Sequence, residues 1–208
     1  LHLQYKIVLF FFNDPSCIQN EKVGASLDSQ RGTKMDLNVP ESDGKILYNL
    51  VIKNHYTRAL EIGTLRGYSA MWIAQALSKT GGRLITIEID AGRYRQALAN
   101  FEAAGLSNYI DARLADAHDM VKELQGPFDF IFCDADKEGY KNYFITLYPK
   151  LAVGGCYAAH NVMGGSGGLS WRSGTEDFYD YVKRLPDMDT TVDNSGSGMS
   201  ISYKKAMK

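Results

Sequence analysis

The chain reads as an α/β fold: a doubly wound, mostly parallel seven-stranded sheet with a C-terminal antiparallel hairpin and helices on both faces. Three observations predict it. Short apolar runs at 58–62, 83–89, 109–114, 128–134 and 155–160 alternate with helical segments at 67–79, 91–104, 117–124 and 138–149, and such alternation builds a parallel sheet covered on both sides. Near the end the pattern changes: a helix over 175–185 precedes strands at 189–192 and 199–203, separated by Asp193-Asn194-Ser195-Gly196-Ser197-Gly198. That is turn chemistry, so the last two strands should pair antiparallel. Finally, 208 residues of ordinary composition can bury one sizeable core.

The beginning is read separately. Tyr5–Phe12 is apolar apart from Lys6. It is too short to span a bilayer and lacks the basic start and small-residue cleavage site of a signal peptide. Residues 1–34 are therefore expected to form an arm or helical extension, packed on the core or on a second subunit, ahead of one domain over 35–208. Pro40 followed by acids then starts a helix carried by Ile46, Leu47, Leu50 and Val51. Cys17, Cys133 and Cys156 are an odd, scattered set without zinc spacing. Two of them lie in strand-like runs, so buried reduced thiols and a cytoplasmic location are expected. The net charge of −1 gives no electrostatic case for nucleic acid, and no segment calls for a membrane.

Ala59-Leu60-Glu61-Ile62-Gly63-Thr64-Leu65-Arg66-Gly67-Tyr68-Ser69 carries the first chemical signal. An apolar strand ends in an acid, a loop with two glycines turns sharply, and a helix begins. Glycine permits close approach of a ligand, and the helix start offers unbonded N–H groups. The pattern is a nucleotide-type cofactor crevice, although Gly-x-x-x-Gly is not the dinucleotide fingerprint. In such sheets ligands lie beyond the carboxyl ends of the strands. There the second strand presents Glu88, suited to ribose hydroxyls, with Asp90 a better helix cap than a ligand. The third presents Asp116, either an adenine acceptor or a helix cap. The fourth runs from buried aromatics into Asp134-Ala135-Asp136-Lys137, and the fifth ends in His160-Asn161. If those two strands are neighbours, Asp134, His160 and Asn161 converge, either as an oxygen/nitrogen set for a divalent cation or as a polar cluster without one.

Leu60-Glu61-Ile62-Gly63-x-x-x-Gly67-Tyr68-Ser69 and Phe132-x-Asp134-Ala135-Asp136-Lys137-x-x-Tyr140 together resemble the metal-dependent class I S-adenosylmethionine (SAM) O-methyltransferases of the catechol and caffeoyl-CoA type, over roughly Met35 to Tyr203. The resemblance implies a Rossmann-like fold and a homodimer. It implies that Val39, Glu61, Gly63 and Ser69 line the methionine side of the cofactor, that Glu88 holds the ribose, and that Asp116 and Ala117 border the adenine. Asp134 would sit at both cofactor and metal, and Lys137 would be the general base. Members of that family carry Asp-Asn where this chain has His160-Asn161. An imidazole in place of a carboxylate disfavours magnesium and favours softer ions. A retained site with altered metal preference is expected, and a weakened site with little metal need is the alternative.

The implied reaction joins SAM to a catechol-like or phenolic hydroxyl. A phenol with a pKa of about 10 is a poor nucleophile at neutral pH. A cation at Asp134 and Asn161, magnesium or manganese by family, would acidify it, and Lys137 would take the proton. The Gly164–Gly168 loop, Trp171 and the 193–198 turn are candidates to overhang the acceptor; nothing points to a coenzyme A thioester. Two rivals remain. Tyr179-x-x-x-Lys183 has the spacing of a short-chain dehydrogenase pair, and His160 would also suit a cofactor-binding module without catalysis.

Overall fold

The computed structural model describes residues 39–162 and 172–207. The expectations for residues 1–34, for the Gly164–Gly168 loop and for Trp171 lie outside them. Helix α1 (Glu41–Asn54) is followed by β1 (Arg58–Ile62), α2 (Tyr68–Thr80), β2 (Arg83–Glu88), α3 (Ala91–Ala103), β3 (Ile110–Leu114), α4 (Ala117–Glu123) and β4 (Phe128–Cys133). Then come α5 (Tyr140–Leu147), β5 (Leu151–Ala159), α6 (Arg172–Lys183), β6 (Met188–Asp193) and β7 (Met199–Lys204).

The strands form one sheet in the order β3-β2-β1-β4-β5-β7-β6. Pairing is parallel from β3 through β5 and antiparallel for β5–β7 and β6–β7. The chain winds outward from β1 to β3, then returns to the other side of β1 to place β4. Connections on either side of the β1–β4 seam therefore leave in opposite directions, which opens a crevice at the strands' carboxyl ends. The two seam strands are the most apolar because helices cover both their faces: Leu60, Ile62, Phe130, Ile131, Phe132 and Cys133 are fully buried. At the other end of the seam, Asp129 accepts from the Thr57 and Arg58 amides at 2.7 and 2.9 Å, fixing how β1 enters the sheet.

Behind β4 and β5, Phe144 of α5 meets Tyr157 edge-on at 5.0 Å between ring centres, with Phe178 of α6 at 5.8 Å. On the other side, α1 packs on α2 through Gly44, where a Cβ would lie 2.3 Å from the Trp72 indole. This close approach brings the first turn of α1 to the crevice.

Three expected boundaries shift. The 138–149 helix is a 3₁₀ turn (Lys137–Gly139), the short α5, and a second 3₁₀ turn (Tyr148–Lys150); Pro149 lacks the amide that a continuing α-helix needs. Strand β5 begins at Leu151 rather than 155, because its register against β4 jumps between Phe128 and Phe130 and absorbs Gly154 and Gly155 as an irregularity. Helix α6 starts at Arg172 rather than 175. The thiols follow expectation: Cys133 and Cys156 are free and buried, and burial pushes both up to about 12. Among the described residues no helix is long and apolar enough to cross a membrane.

Gly63 is where the seam is tightest. Its φ is +92°, and a Cβ there would lie 2.3 Å from the Asp134 carbonyl oxygen. Gly105 also has positive φ (+67°), but a Cβ there meets nothing within 4 Å. Gly105→Ala should therefore cost about 1 kcal/mol, the backbone strain alone, and Gly63→Ala about 2–4 kcal/mol because a rigid backbone contact is added. Urea unfolding of the two variants measures the difference; equal losses would contradict the close approach.

Candidate active site

At the seam, Glu61 ends β1 fully buried. Its two oxygens accept from Ser69 Oγ at 2.6 Å and Thr86 Oγ1 at 2.5 Å, and Thr86 Oγ1 also lies 2.5 Å from Thr64 Oγ1. Burial pushes the Glu61 carboxyl up to about 8; the Ser69 and Thr86 bonds pull it down, while the Asp134 and Glu88 charges add to the rise. Val39 (3% exposed) and Ser69 (5%) are buried as well. The loop after Gly63 turns through Leu65 and Gly67, at φ +53° and +84°. A Cβ on Gly67 would lie 2.3 Å from the Phe101 ring of α3.

One strand over, Glu88 accepts from the Leu65 amide at 2.7 Å and the Asp90 amide at 2.9 Å. Its carboxylate thus holds the glycine loop against the end of β2, and each oxygen keeps a second lone pair. Asp90 and Asp116 both cap helices, accepting from Arg93 N and His118 N. Asp116 is exposed, beside Ala117 at the start of α4. Two large apolar residues stand exposed at these strand ends, Ile89 (67%) and Leu114 (49%). A carboxylate flanked by uncovered apolar surface, beside a loop whose two glycine positions have no room for a side chain, suits an adenosine group. The residues present fit SAM.

The other side of the seam carries the charges. Lys137 Nζ donates to Asp134 Oδ1 at 2.7 Å and to the Tyr140 hydroxyl at 2.5 Å, and that hydroxyl donates to the His160 carbonyl at 3.0 Å. His160, 4% exposed, aims both ring nitrogens at carboxylates: Nδ1 lies 3.1 Å from Asp134 Oδ2 and Nε2 lies 2.8 Å from Asp43 Oδ2. Ser197 in the β6–β7 turn donates its amide to Asp43 at 3.1 Å. Burial opposes charge on all three of these groups, and pairing wins. Asp134 is held at about 2 by the His160 bond and the Lys137 and His160 charges. Asp43 lies below its usual range because of His160 and the Ser197 amide. His160 is pushed up to about 9 by its two carboxylate partners.

Two members of this array were not anticipated. Asp43 lies on the buried face of α1 with Leu47, Leu50 and Val51; an acid on that i, i+4, i+7, i+8 stripe was the available signal. Tyr140 was visible as the end of the Asp134 motif, but nothing in the sequence assigned it the bond to Lys137. Of the expected metal set, Asp134 and His160 meet at 3.1 Å, but as partners of each other rather than as open ligands. Asn161 is exposed with left-handed backbone (φ +57°), Asp134 spends one oxygen on Lys137 and the other on His160, and both His160 nitrogens are engaged. Among the described residues no group of three or more His, Cys, Asp or Glu side chains is disposed to hold a metal ion. These residues, as arranged, do not fit a divalent cation. The Tyr179/Lys183 pair is a surface contact on α6, with the Lys183 ammonium 5.6 Å from the Tyr179 ring centre.

A seven-stranded sheet with a reversed C-terminal pair, a glycine loop after β1 and an acid ending β2 define a Rossmann-like, SAM-dependent methyltransferase fold. The sequence profile of the O-methyltransferase family matches residues 19–169, and the chain belongs to that family. A protein named catechol O-methyltransferase from Niastella koreensis is 43% identical over 131 residues, which cover 61% of this chain and 59% of that protein. Caffeoyl-CoA O-methyltransferase from Populus kitakamiensis is 32% identical over 137 residues, covering 64% and 58%. The chain thus spans less than two thirds of the length of these relatives. Among solved structures, the O-methyltransferase from Bacillus cereus in complex with SAH superposes with a TM-score of 0.74 at 30% identity, covering 82% of this chain and 84% of that one. An O-methyltransferase from Streptomyces achromogenes in complex with SAM gives 0.74 at 27%, covering 82% and 83%.

Glu61 makes stability depend on pH. Its carboxyl at about 8 in the fold exceeds the unfolded value, so the folded state holds this proton more tightly. That contribution is complete below about pH 4 and is lost as pH rises through 8. The protein without cofactor should lose on the order of a few kcal/mol over this window from Glu61. In Glu61→Gln that part of the slope should vanish, as read from urea midpoints at pH 5, 6, 7 and 8.

Proposed function

We propose that this chain transfers a methyl group from SAM to a hydroxyl of a catechol-like or phenolic small molecule. The carrying observation is the Asp134–Lys137–Tyr140 arrangement at the carboxyl end of β4, next to the crevice framed by Glu61, Gly63 and Glu88. The named catechol O-methyltransferase relative at 43% identity supports the acceptor class.

In this reading the glycine loop and Glu88 seat the cofactor, with Glu88 directed to the ribose, Asp116, Ala117 and the apolar Ile89 and Leu114 around the adenine, and Val39, Ser69 and Glu61 around the methionine part. SAM supplies an electrophilic methyl on a sulfonium. Lys137 rests as an ammonium on Asp134; once it has released that proton to solvent, its neutral amine takes the phenolic proton and the ammonium is restored. Asp134 and Tyr140 stabilise that ammonium: the carboxylate at 2.7 Å compensates its charge, and the hydroxyl accepts one N–H. A phenolate and a sulfonium neutralise each other as the methyl moves, so a crevice that excludes water favours the transfer. Phe132, Tyr140 and His160 are buried around the charges, which keeps the local dielectric low. The 193–198 turn, fastened to Asp43 through Ser197, is the described element best placed to shape the acceptor side. A homodimer in the cytoplasm belongs to this reading by family, and light scattering giving the mass of two chains would support it.

The test is transfer of labelled methyl from SAM to a panel of dihydroxybenzenes and phenolic acids. Lys137→Ala should lower kcat by about 10²–10⁴-fold with cofactor affinity retained. Lys137→Arg should not restore it, because a guanidinium does not give up its proton. Rescue by arginine would make position 137 a charge rather than a base. Cofactor binding without turnover on any acceptor would leave a binding module instead.

A further inference from the structure

The His160 ring stands between two carboxylates, and hydrogen-bond bookkeeping fixes what it is. Each ring nitrogen of a histidine is either an N–H donor or a lone-pair acceptor, and a carboxylate only accepts. Nδ1 at 3.1 Å from Asp134 and Nε2 at 2.8 Å from Asp43 must therefore both be donors. A ring with two N–H groups is a cation and has no lone pair left for a metal. Each acid has a second partner: Asp134 also holds Lys137, and Asp43 also holds the Ser197 amide. The row Asp43–His160–Asp134–Lys137 alternates negative and positive and sums to zero, within a region where His160 and Asp43 side chains are 5% and 1% exposed. A divalent ion entering there would have to break two buried charge-assisted bonds and meet a fixed positive charge on the ring.

We propose that the Asp43–His160–Asp134 bridge occupies the place of the divalent cation, so that methyl transfer by this chain needs no metal and His160 is the residue that removes the need. His160 and Asp43 are positioning residues: they hold Asp134 oriented toward Lys137 and keep the site neutral without an ion. The family pattern has Asp at position 160, and Asp there would face Asp134 and Asp43, leaving three carboxylates with Lys137, among the described residues, as their one cation. His160→Asp should therefore create a metal site. This rests on the methyl-transfer reading only for its activity arm, because metal binding is measurable without turnover.

The experiment uses the full chain saturated with SAM and stripped of metal by a chelator. Manganese binding is followed by electron paramagnetic resonance for wild type, His160→Asp and Asp43→Asn, and labelled-methyl transfer to catechol is run with chelator or with magnesium or manganese restored. The expected result is wild-type turnover that changes less than about twofold between chelator and metal, and manganese affinity at least about tenfold weaker than in His160→Asp, which becomes metal-stimulated. In parallel, ring ¹⁵N spectra should place both nitrogens of one histidine at protonated shifts at neutral pH, and His160→Gln should remove that signal. Stoichiometric manganese binding by wild type, or loss of its turnover in chelator, overturns the proposal. If no acceptor is methylated under any condition, the functional reading fails while the wild-type manganese titration still decides this one. If His160→Asp does not fold, the wild-type titration and ring spectra decide it alone.

Discussion

Asp134 is bonded in every direction. Its amide donates to the Ile62 carbonyl at 2.9 Å and so continues the β1–β4 pairing one residue past the strand. Its carbonyl sits where a side chain on Gly63 would be, and its carboxylate grips Lys137 and His160 together. The cofactor loop, the base and the end of β5 thus share one residue as their common anchor. Such a carboxylate would be costly to bury alone; with two cations on it, it remains ionised and rigid.

The two sides of the crevice solve the problem of buried acid in opposite ways. Glu61 has only neutral hydroxyl donors, and desolvation with two nearby carboxylates leaves it inclined to keep its proton. Asp134 and Asp43 face cationic donors and stay charged. Groups with such different proton affinities, a few residues apart across one seam, separate the environment for a cofactor from that for acid–base chemistry.

The parallel sheet, its reversed terminal pair and most elements were legible because parallel strands buried on both faces must be apolar throughout, and their carboxyl ends must carry the polar groups. Glu61, Glu88, Asp134, Lys137 and His160 could be found in this way, each as the first polar residues after an apolar run. The bonds among them were not legible. Whether His160 donates to a second acid depends on Asp43, 117 residues earlier, and on Gly44 letting α1 settle on Trp72. Position 43 carries no local mark other than an acid on an apolar stripe. The late start assigned to β5 has a similarly tertiary cause, since Gly154 and Gly155 read as a loop unless β4 is there to accommodate the irregularity.

The Asp43 side chain is met by His160 and by Ser197, partners 117 and 154 residues distant. A chain emerging from the ribosome has α1 and the whole β1–β4 half long before it has either. The cofactor side can therefore assemble early from neighbours in sequence, whereas the charged row waits for the end of β5 to deliver His160, and the Ser197 bond waits for the last hairpin. Until His160 arrives, Asp43 is an unpaired acid on an otherwise apolar helix face, and the β6–β7 turn then adds the Ser197 amide to a pair already made.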